Sequence, residues 1–398
     1  MNGPAATGPF GLSAALSEHE QAGLLRSRIA TDGASGGRLR VAGRDYLNFS
    51  ANDYLGLADH PAIKTAFQEG VDRYGAGAGA SPLVTGYSRA HQQLEETLAD
   101  WLGLEAVLLF NCGFSANQAV LKALLGKEHL LWQDRLNHAS LQEMGSQLPC
   151  KMKRFGHNDM AALERQLEPN SGLIVSEGVF SMDGDQGPWR ELAALAATSG
   201  NWLMIDDAHG LGVLGPQGRG TLAAQGVAPA SVHIQMGTFG KALGVAGAFV
   251  GGSRELVAYL VNFARHYVYS THMPAAQACA VRQSIELVRA ADEARAQLGL
   301  LITRFRQGAE ALGWQLGAST TPIQPLLVGE SIAALQLAER LRDRGVWAGA
   351  IRPPTVPVGT ARLRITLSAA HREQDVDRLL DALGPCPADD ERGGSHAA

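Results

Sequence analysis

The stretch "MGTFGKALG", Met236 to Gly244, sets one lysine among three glycines and a threonine. Such a lysine could hold a phosphate or attack a carbonyl. The phosphate-cradling loop G-x-x-x-x-G-K-[ST] requires a glycine where Gln235 stands and a hydroxyl residue where Ala242 stands, so that loop is absent here. Four other segments carry side chains suited to chemistry: "NCGFSAN" with Gly113 and Phe114, "QDRLNHAS" with His138, "EGVFSMDGD" with Glu177 and Ser181, and "DDAHGLG" with Asp206 and His209. Singly, each has an ordinary structural reading: a turn glycine, a helix-capping serine or aspartate, a solvated histidine. Together they suit one ligand, pyridoxal phosphate. Its aldehyde needs an amine such as Lys241, its phosphate favours a helix N-terminus such as one opened by Gly113, and its ring nitrogen needs a carboxylate such as Asp206. His138 would lie flat on the ring, and His209 would donate to the ring oxygen.

Each of these segments follows a short apolar run. "AVLLF" (106–110), "LLW", "GLIVS" (172–176), "WLMID" (202–206) and "VHIQM" (232–236) read as strands covered on both faces, as does "GAFVG" (247–251). Helical patterns alternate with them. In "RAHQQLEETLADWLG" Leu94, Leu98, Trp101 and Leu102 recur at three- and four-residue spacing, and "WRELAALAATSG" ends on a glycine. The pattern predicts an α/β protein with an open sheet, in which ligands gather beyond the carboxyl ends of the strands. From about Asp292 a long helical run leads into "IQPLLV", a helix over 331–345, "WAGAI" and "RLRITL", a smaller α/β unit. The expected division is an N-terminal segment 1–45, a large domain 46–290, a small domain 291–385 and a flexible tail 386–398; residues up to about Ala15 also read as flexible.

Composition narrows the function classes. A net charge of −5 over 398 residues argues against nucleic acid or an anionic membrane as the main partner. The four cysteines, Cys112, Cys150, Cys279 and Cys386, form no CxxC pair and no metal-ligand spacing, so no metal site is expected. No apolar run approaches a membrane span, and the start lacks the basic and apolar regions of a secretory signal, which predicts a cytoplasmic protein.

The "DDAHGLGVLG", "GTFGKALG" and "SEGVFSMDGD" segments resemble those of the α-oxoamine synthases, within the fold-type-I pyridoxal phosphate enzymes. The likeness runs from "RVAGRDYLNFSANDYLGLADHP" to "ITLSAAHREQDVDRLL", nearly the whole chain. It implies a fold-type-I transferase: a large domain with a mostly parallel seven-stranded sheet and a smaller C-terminal α/β domain. It implies Lys241 as the Schiff-base lysine, Asp206 as partner of the pyridine nitrogen, His138 on the ring, and His209 and Ser181 on its phenolic oxygen side. Gly113, Phe114 and Thr238 would serve the phosphate. Ser270 and Thr271 match a segment that reaches the neighbouring subunit's phosphate, which implies a homodimer with a shared site; a helix start before Pro274 is the competing reading. Asn52 and Arg364 match positions for the amino-acid carboxylate, and Arg26 and Thr355 match acyl-substrate positions, with Arg28 the alternative to Arg26. Asp207, beside Asp206 on the opposite strand face, reads as structural.

"AIRPPTVPVGTARLRITLSAAH" and "FARHYVYSTHMP" look most like the family members that condense L-alanine with a pimeloyl thioester, on acyl carrier protein or coenzyme A, in biotin biosynthesis. Members using glycine, such as 2-amino-3-ketobutyrate coenzyme A ligase and 5-aminolevulinate synthase, are the nearest alternatives. A nucleotide-binding module or a catalytically silent pyridoxal phosphate binder are the alternatives of another class.

Overall fold

A computed structural model describes residues 10–34 and 36–387. The expected tail therefore lies outside the described residues except for Cys386 and Pro387, as do residues 1–9 of the leader. Thirteen strands are present among the described residues: β1 (Arg38–Val41), β2 (Arg44–Asn48), β3 (Ala106–Phe110), β4 (Leu130–Asp134), β5 (Lys151–Phe155), β6 (Gly172–Glu177), β7 (Trp202–Asp206), β8 (Ile234–Thr238), β9 (Ala248–Gly252), β10 (Ile323–Gly329), β11 (Val346–Trp347), β12 (Gly349–Ile351) and β13 (Ala361–Thr366).

Seven of them form the main sheet in the order β3-β9-β8-β7-β6-β4-β5. Only β9 runs against the others. The α/β architecture is the one the alternating pattern predicts, and its mostly parallel seven-stranded sheet is the one the resemblance implies. Because β3, β4, β6, β7 and β8 run the same way, their carboxyl ends share one edge, and the loops bearing Gly113, His138, Ser181, His209 and Lys241 all leave from it. The central strands are buried along nearly their whole length, which is why they read as continuous apolar runs. "VHIQM" enters the sheet two residues later than its apolar run suggests, at Ile234. β5 was not expected: its sequence KMKRF is half-exposed because it pairs only with β4 at the sheet edge.

Helices cover both faces. Helix Arg89–Leu102 buries Leu94, Leu98, Trp101 and Leu102, the stripe its spacing predicts, and Gly200 ends helix Trp189–Ser199 with φ 67°. Trp101, Trp132 and Trp189 are fully buried, and each indole N–H finds a carbonyl: Gln217 and Gln166 at 3.1 Å, Glu177 at 3.2 Å. Truncating such a residue to alanine costs about 3–5 kcal/mol. Trp189 also pins its helix to the end of β6, next to the Ser181 loop.

The smaller sheet, β10-β13-β12, is antiparallel. The β1–β2 hairpin turns through Ala42 (φ 48°) and Gly43 (φ 78°), a primed two-residue loop, and β2 pairs in parallel with β11. Residues 12–15 depart from the flexible reading given to the chain up to about Ala15, and residues 12–21 are ordered together. They form a helix, Leu12–Gln21, with no buried residue, consistent with helix-favouring alanine, leucine and glutamate in its sequence LSAALSEHEQ. Among the described residues no helix is long and apolar enough to cross a membrane, and no group of three or more His, Cys, Asp or Glu is placed to hold a metal ion.

Candidate functional site

Lys241 sits in a tight turn after β8. Gly244 accepts φ 67° there, and a Cβ on it would stand 2.5 Å from the backbone nitrogen of Ala58, so only glycine fits. The turn delivers Lys241 into a cavity of about 180 Å³ lined also by Gly113, Phe114, His138, Asp206, His209 and Thr238. Seven of the predicted site residues therefore meet in one place. A larger cleft of about 530 Å³ lies near Arg73 and Arg282, but the buried titratable groups converge on the smaller one, which is the stronger mark of chemistry.

Two hydrogen-bond chains organise this cavity. In the first, Arg364 Nη1 donates to Asn52 Oδ1 (3.1 Å), the Tyr54 hydroxyl donates to the same oxygen (3.1 Å), and His209 Nδ1 lies 2.7 Å from the Tyr54 oxygen. His209 Nε2 then faces Lys241 Nζ at 2.8 Å. With the Tyr54 proton given to Asn52, Nδ1 of His209 carries the donated hydrogen and Nε2 keeps its lone pair toward the lysine. Burial, with Lys241, Arg364 and His138 nearby, holds His209 well below its ordinary pKa, so the ring is neutral.

In the second chain Asn117 Nδ2 donates to Asp206 Oδ2 (2.8 Å) and to Ser140 Oγ (2.9 Å), and Ser140 Oγ lies 2.9 Å from His138 Nδ1. The Ser140 backbone N–H also donates to that nitrogen (3.3 Å), so His138 caps helix Ala139–Gln147. Burial lowers the pKa of His138, against the pull of Asp206. Asp206 Oδ1 accepts the Ala208 N–H at 3.1 Å. Its buried carboxylate is fixed in direction by the side chain of Asn117 and the backbone of Ala208.

Burial brings the Lys241 amine down to about 8, opposed by the charges of Asp206 and Glu177. Glu177, at the end of β6 beside Asp206, is pushed well above the ordinary carboxylate range by burial and by Asp206; it accepts the backbone N–H of His138. Asp207 faces the other way. Its oxygens accept the Thr221 N–H (2.7 Å) and hydroxyl (2.6 Å), and burial raises its pKa to about 7. Helix Gly113–Leu124 begins in the cavity with no side chain capping it, leaving first-turn N–H groups for an anion.

The remaining expected residues are placed differently. Ser181 offers its carbonyl, which accepts from Arg364 Nε at 2.6 Å. Arg26 Nη2 donates to the Thr355 hydroxyl (3.2 Å), so the two acyl-substrate candidates touch each other, at an exposed position. Ser270 and Thr271 are not among the cavity-lining residues; the Thr271 carbonyl accepts from Asn111 Nδ2 at 2.8 Å. Sequence reading missed Asn117 and Tyr54. Each carries an amide or phenol whose importance arises only from a distant partner, Asp206 or His209.

The sequence pattern of the family Aminotransferase class I and II matches residues 44–383. The 8-amino-7-oxononanoate synthase of Aeromonas hydrophila subsp. hydrophila is 92% identical over 398 residues, 100% of each chain. The chain belongs to the aminotransferase class I and II family, among the 8-amino-7-oxononanoate synthases. The enzyme of that name from Aeromonas salmonicida is 86% identical over 396 residues, again 100% of each chain. Among solved structures, a serine palmitoyltransferase with pyridoxal phosphate superposes with a TM-score of 0.89 at 27% identity, covering 95% of this chain and 97% of that one. The 8-amino-7-oxononanoate synthase from Francisella tularensis gives a TM-score of 0.76 at 27% identity, covering 85% and 96%. The likeness drawn from "DDAHGLGVLG" and "GTFGKALG" therefore holds over the whole fold.

Proposed function

We propose that this chain condenses L-alanine with a pimeloyl thioester, releasing CO2 and the free thiol carrier and giving 8-amino-7-oxononanoate for biotin biosynthesis. The observation that carries this reading is the convergence of Lys241, Asp206, His138 and His209 on one cavity whose far wall is an uncapped helix start. That donor set fits pyridoxal phosphate: an amine of lowered pKa, a directed buried carboxylate, a flat ring and free N–H groups for a phosphate. When bound, pyridoxal phosphate supplies an electron sink for the negative charge left on the alanine α-carbon.

The residues do the rest. Lys241 Nζ would hold the cofactor's aldehyde and, as a free amine, would take the α-proton of alanine; an amine near pKa 8 suits that role. Asp206 keeps the ring nitrogen protonated, aimed by Asn117. His209, its Nδ1–H held by the Tyr54 oxygen, turns Nε2 toward Lys241 on the ring oxygen side and keeps that lysine in place. Arg364, steadied by Asn52 and the Ser181 carbonyl, binds the amino-acid carboxylate, and its planar guanidinium suits two-point contact. Gly113, Phe114 and Thr238 hold the phosphate. Arg26 and Thr355 line the approach of the acyl chain, whether carrier protein or coenzyme A delivers it.

We further infer a cytoplasmic homodimer in which Ser270 and Thr271 complete the partner's phosphate site, and a division of the chain near residue 290 between a large and a small domain. Borohydride reduction of the cofactor-loaded protein followed by peptide mapping tests the core of this reading. The phosphopyridoxyl mass belongs on Lys241; finding it on another lysine overturns the assignment. CO2 release from alanine with pimeloyl thioester, beside glycine with succinyl or acetyl thioester, tests the substrates.

A further inference from the structure

An edge-strand turn outside the cavity holds two of the site's loops. His157 follows β5 and stands between two carboxylates. Its Nδ1 lies 3.1 Å from Asp134 Oδ1 and its Nε2 lies 2.7 Å from Asp185 Oδ2. An ionised carboxylate only accepts, so both ring nitrogens must carry hydrogen and the ring is an imidazolium. Asn158, at φ 53°, reinforces the same pair: its N–H donates to Asp134 Oδ2 (2.8 Å) and its Nδ2 to Asp185 Oδ2 (3.1 Å). Phe180 meets the imidazole edge-on, ring centroids 4.4 Å apart.

The two carboxylates belong to different loops. Asp134 ends β4, four residues before His138, and also accepts the Leu136 N–H at 2.8 Å, the first turn of the segment that delivers His138. Asp185 lies in the loop after β6; its carbonyl accepts the Phe180 N–H at 2.9 Å, closing the turn that presents the Ser181 carbonyl to Arg364. The far side of that turn is held by the smaller sheet, where Arg362 Nη1 reaches Asp183 Oδ1 at 2.6 Å and Ser319 and Thr321 donate to the Gly184 carbonyl.

We propose that His157 is a positioning residue: a doubly protonated clamp that sets the Ser181 carbonyl, and through it the guanidinium of Arg364, while fixing the loop that carries His138. The role rests on the reading of Arg364 as the amino-acid carboxylate site. Although burial opposes the charge, the hydrogen bonds to Asp134 and Asp185 lift the His157 pKa to about 10. The clamp therefore stays charged at neutral pH.

Two variants separate its arms. Asp185→Ala cuts only the arm to the Ser181 loop. It is expected to raise KM for L-alanine about tenfold, as small misplacements of a binding group do, with KM for the thioester and cofactor affinity unchanged. His157→Phe keeps the ring but cuts both arms. It should raise the alanine KM equally, weaken cofactor binding as well, and gain nothing further when combined with Asp185→Ala. An Asp185→Ala protein that melts lower but keeps its alanine KM overturns the proposal, as does a KM that rises alike for both substrates. A readout independent of turnover is histidine-selective 15N NMR of the cofactor-free protein at pH 8. One ring, missing from His157→Phe, should show both nitrogens protonated. A neutral ring there ends the clamp whatever the enzyme turns over, whereas a charged ring without alanine turnover faults the proposed reaction instead.

Discussion

Nζ of Lys241 stands 2.8 Å from Nε2 of His209, whose other nitrogen meets the Tyr54 hydroxyl at 2.7 Å. A neutral imidazole accepting from a buried amine stabilises its ammonium form less than a carboxylate partner would. The result is an amine near pKa 8, mainly through burial. Capture of pyridoxal phosphate by the cofactor-free protein should accelerate about tenfold per pH unit below 8 and level off above it, since only the free base attacks. Stopped-flow absorbance across pH 6.5–9.5 checks this. An unperturbed lysine would keep accelerating toward about 10.4.

Tyr54 links Arg364 and Asn52 to the lysine side of the cavity. Tyr54→Phe removes the acceptor for His209 Nδ1 in a fully buried position, and an orphaned buried donor costs about 1–3 kcal/mol. The expected outcome is a drop in kcat of about tenfold or more, with the His209 ring free to change tautomer and the Lys241 pH profile displaced. An unchanged profile with lowered thermal stability alone would confine Tyr54 to packing.

Asn117 aims Asp206. Its Nδ2 bridges the Asp206 carboxylate and Ser140, so Asn117→Leu leaves the carboxylate without its side-chain donor and His138 without its relay. Affinity for pyridoxal phosphate should fall about tenfold, equivalent to about 1.4 kcal/mol. Fluorescence titration of the cofactor-free protein measures it, and the Ser140→Ala variant should show a smaller loss because Asp206 keeps Asn117.

His157 makes a pH-dependent contribution to stability whose sign follows from its raised pKa. The folded value is about 10 against an ordinary 6.5. The stabilisation is therefore complete below pH 6.5, declines above it and is gone once pH passes about 10. The stability difference between the parent protein and His157→Gln, from urea unfolding, should be a few kcal/mol near pH 6 and vanish near pH 10.5. A difference that stays constant with pH would mean that the ring acts by packing against Phe180 alone.

What the sequence revealed depended on where each residue's partners lie. Strands buried on both faces announce themselves as apolar runs, and because five of them run parallel, the residues just after each run had to share an edge. That placed Lys241, Asp206, His138 and His209 together. β5 gave no such signal, since an edge strand needs only one apolar neighbour, and with it went His157. Tyr54 was hidden for another reason: it acts across 155 residues on His209, and nothing in its own neighbourhood marks a phenol that matters. Ser181 shows a third kind of gap. Its backbone carbonyl accepts from Arg364, and no sequence pattern displays a carbonyl's partner.

Ser270 and Thr271 offer the sharpest test of a shared site. Within one chain they stay out of the cavity lining, and the Thr271 carbonyl is held by Asn111, two residues before the helix that begins in the cavity. If their hydroxyls complete the partner's site, a Lys241→Ala chain and a Ser270→Ala/Thr271→Ala chain are each inactive or weak alone but complement when refolded together. In a two-fold dimer, half of the molecules are mixed, and each mixed molecule contains one site with both the intact lysine and the intact hydroxyls. Activity should therefore recover to about a quarter of the parent value. Were the hydroxyls to serve their own chain, every mixed site would lack either the lysine or the hydroxyls, and mixing would restore nothing.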